Sequence, residues 1–216
     1  MGQTTNDIAS LRKEYALASL SEQDCHSNPI VQFAKWFDEA VAAEIDDANA
    51  MTLCTVDADA KPHARIVLLK GVAEQAFLFY TNYDSAKGRQ MAINANVSLV
   101  FHWKELQRQV RIEGVVSKIS EEASAAYFHS RPIDSQLGAW ASQQSDVLQK
   151  REDLEKRFED YKIKYQNIEI PKPPNWGGYQ LEPCMIEFWQ GRANRLHDRL
   201  QFTLLENVWR MCRLNP

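Results

Sequence analysis

The sequence predicts a β-dominated α+β fold, an antiparallel barrel with peripheral helices. Short runs of alternating and β-branched residues occupy the middle and end of the chain, hairpin-length connections join them, and stretches with helical periodicity lie between and beside them. In order, Ile30, Phe33, Ala34, Phe37, Ala40 and Val41 recur at steps of three and four, so Ile30 to Ile45 is an amphipathic helix. Met51 to Val56, His63 to Lys70 and Phe77 to Thr81 then read as strands, the first two joined by a polar turn through Asp57, Asp59 and Pro62. A short helix over Ser85 to Ala95 precedes two more strands, Val97 to Trp103 and Gln109 to Ile119. Ser120 is placed to cap a helix over Glu121 to Ser130, whose acidic first turn suits the helix dipole. The periodic Leu154, Phe158, Tyr161 and Tyr165 mark a helix within Asp146 to Gln166 whose charges form a solvated face. Three prolines and two glycines in Ile170 to Gly178 stop it in an ordered loop, and Tyr179 to Trp189, Gln201 to Leu205 and Val208 to Cys212 are the last strands.

Composition bounds the function. At 216 residues, with 44% hydrophobic and 25% charged side chains, the chain fits one domain over residues 1–216. No stretch approaches the roughly 18 consecutive apolar residues of a membrane helix. With 29 acidic against 25 basic side chains, the net charge of −4 argues against a nucleic-acid-binding surface, though it leaves room for local cationic sites. Residues 1–20 lack the charged and apolar regions of a secretion signal, so the cytoplasm is the expected compartment. Cys25, Cys54, Cys184 and Cys212 are scattered without metal-ligand spacing, and neither a zinc site nor a disulfide framework is expected.

The sequence carries no G-x-S-x-G, H-E-x-x-H, Walker or G-x-G-x-x-G motif. Three cationic clusters stand out instead. In Trp189 to Arg199 (WQGRANRLHDR), Arg192, Arg195 and Arg199 surround His197 with only Asp198 opposed, which suits an anion or a solvated turn. In Tyr127 to Ser135 (YFHSRPIDS), Tyr127, Arg131 and Ser135 are spaced by four. Pro132 disfavours helix at Arg131, so these groups converge from a helix end and the loop after it, as a phosphate cup or as ordinary capping. In Arg65 to Lys70 (RIVLLK), alternation puts Arg65, Val67 and Leu69 on one face and Ile66, Leu68 and Lys70 on the other. None of the three supplies a nucleophile–base pair, so an enzyme built on them requires a cofactor for the difficult step.

Together these segments resemble the pyridoxine/pyridoxamine 5′-phosphate oxidase family. The resemblance runs through RKEY (Arg12 to Tyr15), RIVLLK, FYTN (Phe79 to Asn82), RQVRIEG (Arg108 to Gly114), YFHSRPIDSQLGAW (Tyr127 to Trp140), SQQS (Ser142 to Ser145), WGGY (Trp176 to Tyr179), EFWQG with RLHDR (Glu187 to Arg199) and the terminal RLNP. It implies an FMN-binding split β-barrel, with residues 1–28 as a mobile N-terminal segment, in a homodimer with FMN at the subunit interface. The implied substrates are phosphorylated B6 vitamers and molecular oxygen. By the same resemblance Arg65, Ile66, Val67, Leu68, Tyr80, Thr81, Ser85, Lys87, Gln109, Gln144, Ser145, Trp189 and Arg199 contact FMN. Lys70, Tyr127, Arg131 and Ser135 hold the substrate phosphate, Arg12 and Tyr15 fold over the site, and Arg195 and His197 are catalytic. One position departs from the family, which usually has Ser-Arg-Lys where this chain has Ser85-Ala86-Lys87. The missing guanidinium predicts weakened FMN binding unless Arg89 or another cation replaces it.

Overall fold

The structure, a computed structural model, describes residues 14–73 and 75–216. Strands β1 (Ala50–Val56), β2 (Pro62–Leu68), β3 (Gly71–Ala73), β4 (Ala76–Asn82), β5 (Asn96–Trp103), β6 (Arg108–Lys118), β7 (Trp176–Gln190), β8 (Asp198–Leu205) and β9 (Val208–Arg213) form a nine-stranded sheet. Its order is β2-β1-β5-β6-β7-β4-β3, with β8 on β7 and β9 on β8, and β1–β2, β3–β4, β4–β7, β7–β8 and β8–β9 are antiparallel. The helices are α1 (Pro29–Ala42), α2 (Ala86–Ile93), α3 (Glu121–Ser130), α4 (Ile133–Ala141) and α5 (Arg151–Lys164). The chain divides into two compact units, and β5, β6 and β7 pass from one into the other.

One unit comprises the residues up to Ala48 with Val100–Ile112 and Met185–Pro216. Asn28 caps α1 by accepting the Ile30 amide at 2.9 Å, and Pro29 fills the first turn, where its missing N–H costs nothing. The helix buries Phe33 and Trp36 against Phe101 and Phe188 at ring separations of 5.0 and 5.2 Å. Each such side chain contributes about 1.5–3 kcal/mol on burial. Residues before α1 are tied to this unit: the Leu20 amide donates to Asp198 at 3.1 Å, and Leu20 is buried.

The other unit comprises Asn49–Leu99 and Glu113–Cys184. Buried Leu53, Phe77, Phe79, Leu99 and Leu181 form its sheet core. A second cluster of Phe128, Leu137, Tyr165, Ile170 and Trp176 supports α3, α4 and α5. The β2 alternation takes the expected form, with Arg65 and Val67 half-buried, Leu69 buried, and Ile66, Leu68 and Lys70 exposed. The Ser120 hydroxyl caps α3 by accepting the Ala123 amide at 3.1 Å, and α3 stops at Arg131, held extended at φ −77°, ψ 152° as its proline neighbour requires.

The loop expected after Arg131 is instead a helix. Pro132 occupies the cap position of α4, Asp134 lies in its first turn, and Gln136 Nε2 donates to the carbonyls of His129 (3.3 Å) and Arg131 (2.8 Å) that α3 leaves free. The long helix begins at Arg151 rather than Asp146, and β7 begins at Trp176, inside the expected loop. Gly177 and Gly178 let neighbouring side chains close in on the strand: a Cβ at Gly177 would stand 2.1 Å from the Tyr83 hydroxyl, and one at Gly178 2.4 Å from Ile119 and 2.8 Å from the Tyr80 ring, so those side chains would have to shift.

Candidate functional site

A cavity of about 670 Å³ lies within the unit of Asn49–Leu99 and Glu113–Cys184. The sequence-predicted Lys70, Tyr127, Arg131 and Ser135 all line it, as do Ile66, Val67, Leu68, Tyr80, Thr81, Lys87 and Gln144. The helical break at Pro132 creates the convergence: Tyr127 comes from α3, Arg131 from the junction and Ser135 from α4. Strand β2 supplies Ile66, Val67 and Leu68, and Lys70 follows it where its amide donates to the Leu78 carbonyl at 2.8 Å. Among the described residues, three cations line the cavity and no carboxylate does.

Lys87, in the first turn of α2, is 9% exposed, and its ammonium meets only uncharged acceptors: Thr81 Oγ1 and Gln144 Oε1 at 3.3 Å and Ser85 Oγ at 3.5 Å. Burial, with Arg65 nearby, pushes its pKa below the usual lysine value. Ser85 is fully buried and caps α2, its hydroxyl accepting from Gly88 at 3.3 Å and donating to Asn82 at 2.7 Å. Burial likewise lowers Arg131, whose Nη1 is buried with no hydrogen-bond partner. A buried charged donor without an acceptor is costly to keep, and an anion relieves that cost.

Not every predicted contact faces the cavity. The Arg65 guanidinium turns to Leu53 O (3.1 Å), Thr55 Oγ1 (2.6 Å) and Gln90 Oε1 (3.1 Å), and Arg65, Ser85 and Ser145 are absent from the lining. Ala86 adds no charge, and Arg89 does not stand in for it: its guanidinium bonds the Asp84 carbonyl and lies 3.9 Å from Asp146. Trp176, Asn82 and Ser142 also line the cavity and were not singled out by the sequence reading. Trp176 stacks with Tyr80 and Tyr127 at 5.5 and 6.2 Å, Tyr80 and Tyr127 stack at 3.8 Å, and Arg131 lies 4.7 Å over the indole.

The remaining candidates belong to the other unit. The rings of Tyr15, Trp189 and His197 cluster there, with Tyr15 5.9 Å from each partner and Trp189 4.6 Å from His197. Gln109 is half-buried on β6, Arg195 is exposed, and Arg12 lies outside the described residues. The Arg192 amide donates to His197 Nδ1 at 3.0 Å, which places the proton of the neutral ring on Nε2. Burial, then the charge of Arg195, lowers the pKa of His197. Arg199 does not join the cationic crowd as a free charge. It forks onto Glu187 at 2.8 and 3.2 Å, and Arg111 contacts the same carboxylate at 3.1 Å. Glu187, 3% exposed, escaped the sequence reading although EFWQG contains it; the signal lay in strand pairing, which sets Trp189 opposite Arg199 and Glu187 diagonal to it.

Among the described residues, no cluster of three or more His, Cys, Asp or Glu is placed to hold a metal, and no helix is long and apolar enough to cross a membrane. Residues 37–165 match the family pattern described as "Pyridoxamine 5'-phosphate oxidase", and residues 176–216 match "Pyridoxine 5'-phosphate oxidase C-terminal dimerisation region". Proteins named pyridoxine/pyridoxamine 5′-phosphate oxidase from Nostoc punctiforme and Leptospira interrogans are 53% and 54% identical, the alignments covering 97% of this chain and 98% of each relative. Among solved structures, PhzG from Burkholderia lata, in complex with tetrahydrophenazine-1-carboxylic acid, aligns with TM-score 0.87 at 28% identity over 93% of this chain and 100% of its own. An FMN-binding, pyridoxamine 5′-phosphate oxidase-related protein from Nostoc punctiforme aligns with TM-score 0.69 at 17% identity, over 92% and 100%.

Proposed function

Since the chain belongs to the pyridoxine/pyridoxamine 5′-phosphate oxidase family and is an oxidoreductase with that family's split-barrel fold, we propose that it oxidises pyridoxamine 5′-phosphate and pyridoxine 5′-phosphate to pyridoxal 5′-phosphate, with FMN as cofactor and O₂ reduced to H₂O₂. The observation that carries this reading is the cavity lined by Lys70, Lys87 and Arg131 with no carboxylate among the described residues, in a chain of net charge −4. Such a site is matched by phosphate groups. The orphaned Arg131 Nη1 and the carboxylate-free Lys87 fit two phosphates, the substrate's and the cofactor's. The match to a dimerisation region supports a homodimer, and by the family resemblance FMN would sit at its subunit interface.

FMN, when bound, supplies the two-electron acceptor that no side chain provides and the route from substrate to O₂. The chain's own residues do the rest by position. Lys70, Tyr127, Arg131 and Ser135 hold the substrate phosphate and so fix the pyridine ring. Lys87, at the α2 N-terminus, holds the cofactor phosphate beside Thr81 and Gln144. Arg195 and His197 orient the reacting face, His197 presenting Nε2–H as a donor while Nδ1 stays engaged by Arg192. Arg199 keeps its geometry through Glu187. Action on a tetrahydrophenazine carboxylate, the ligand in the PhzG structure, is the second reading, favoured by the structural alignment; the identity of 53% to named oxidases and the three-cation cavity weigh against it.

Protein loaded with FMN and given pyridoxamine 5′-phosphate is expected to release peroxide and develop the aldehyde chromophore. Folded, FMN-loaded protein that yields neither overturns the proposal.

A further inference from the structure

Among the described residues, Arg131 is the cavity cation that rests on aromatic rings, where Lys87 rests on hydrogen-bond acceptors. Its guanidinium carbon lies 4.7 Å over the Trp176 ring and 5.8 Å from the Phe128 ring, and its Nη1 is buried without a partner. An arginine stacked on an aromatic face is held in place while its in-plane N–H groups stay free to donate. A carboxylate would hold it as well, but would neutralise it and compete with an incoming anion.

The indole is itself fixed on every side. Tyr80 and Tyr127 stack with it at interplanar angles of 14° and 5°, Phe128 meets it edge-on at 5.3 Å, and in the β4–β7 register Trp176 sits opposite Asn82. Its carbonyl accepts from Lys172 Nζ at 2.7 Å. The Lys172 side chain is 4% exposed, donates also to Pro173 O at 2.9 Å, and reaches the exposed Glu121 carboxylate at 3.0 Å. The loop between α5 and β7 is further pinned where Trp140 Nε1 donates to Pro171 O at 2.7 Å.

We infer that Trp176 is a positioning residue for phosphate recognition, its indole presenting the Arg131 guanidinium to the anion while Lys172 staples the strand start that carries the indole. The inference rests on the function proposed above, in which that anion is the substrate phosphate. It divides the work: Arg131 makes the contact, Trp176 sets its angle, and Lys172 acts one step further back.

Equilibrium binding of pyridoxal 5′-phosphate and of unphosphorylated pyridoxal tests it in wild type, W176F, W176L, K172M, R131A and the W176L/R131A double variant. W176L is expected to weaken pyridoxal 5′-phosphate about tenfold, the scale of one desolvated cation–π contact, and pyridoxal less than threefold. W176F should rescue to within about threefold, and W176L should add little in the R131A background. In turnover, KM should rise by a larger factor than kcat falls. Equal weakening of both ligands, failure of the phenylalanine rescue, or full additivity with R131A overturns the inference. Should W176L not fold, K172M replaces it, with a weakening of about threefold that vanishes in R131A as the expected result and additivity as the overturning one. Wild-type protein that binds pyridoxal 5′-phosphate but lacks the coupling refutes the inference alone, whereas wild-type protein that does not bind it refutes the proposed function as well.

Discussion

The cations near the candidate site residues are held in opposite ways in the two units. In the unit that carries β8 and β9, Arg199 and Arg111 share the buried Glu187 carboxylate, and Arg213 is held by Glu22 and Asp198 at 2.8 and 2.9 Å. In the unit that carries the cavity, Lys87 has only hydroxyl and amide oxygens, and Arg131 has only rings and an orphan donor. Paired cations stabilise the chain in which they sit. Unpaired buried cations cost stability and are retained where a ligand will neutralise them.

Replacing charges in each unit separately puts that contrast at risk. The largest effect is expected from Glu187→Ala, which removes the buried carboxylate that Arg199 and Arg111 share and should cost about 3 kcal/mol in urea unfolding, toward the low end for broken buried pairs because both arginines are partly exposed. Lys87→Met should do the reverse: apo-protein melts no lower than wild type, while FMN affinity by fluorescence titration falls on the order of a hundredfold. Loss of apo stability in that variant would make Lys87 a structural cation like the others. Ala86→Arg adds a cation at the start of α2, and FMN should bind roughly ten- to a hundredfold more tightly, about 1.5–3 kcal/mol; unchanged affinity refutes the idea that this position limits binding.

Smaller effects are expected with pH. The pKa of His197 lies below its usual 6.5, so the fold disfavours the charged ring: stability is unaffected above that value and declines as acid forces the second proton on. The same protonation displaces the Arg192 amide from Nδ1, so kcat/KM should fall on the acid side, and His197→Gln should flatten that limb. The smallest change belongs to Glu22, which the Arg213 hydrogen bond holds at about 2; its contribution is present above the ordinary carboxylate value of 4.5 and disappears only as pH falls through about 2. Because this pair is exposed and screened by water and salt, Glu22→Gln should nevertheless leave the melting curve nearly unmoved at pH 7.

Local signals were legible in the sequence wherever a short-range rule decides the outcome. The Ser120 cap, the extended Arg131 before Pro132 and the β2 alternation each depend on neighbours within a few positions. The helix α4 was not, since a proline at its cap, Gly138 in its middle and a length of nine residues resemble loop composition. Trp176 and Glu187 stand in quoted motifs, yet their partners Arg131 and Arg199 come to them only through tertiary packing and strand register. The family resemblance named Lys70, Tyr127, Arg131 and Ser135 as one group, and the structure brings them to one cavity; it could not say that Arg65 would spend its hydrogen bonds on Thr55 and Gln90.

The bare backbone at Gly177 and Gly178 has a consequence for how this site responds to change. Tyr80 and Tyr83 occupy the volume that a side chain there would fill. A scan that trims residues to alanine would probe the aromatic wall by removing one ring at a time, whereas an alanine at either glycine would probe it by pushing the rings aside.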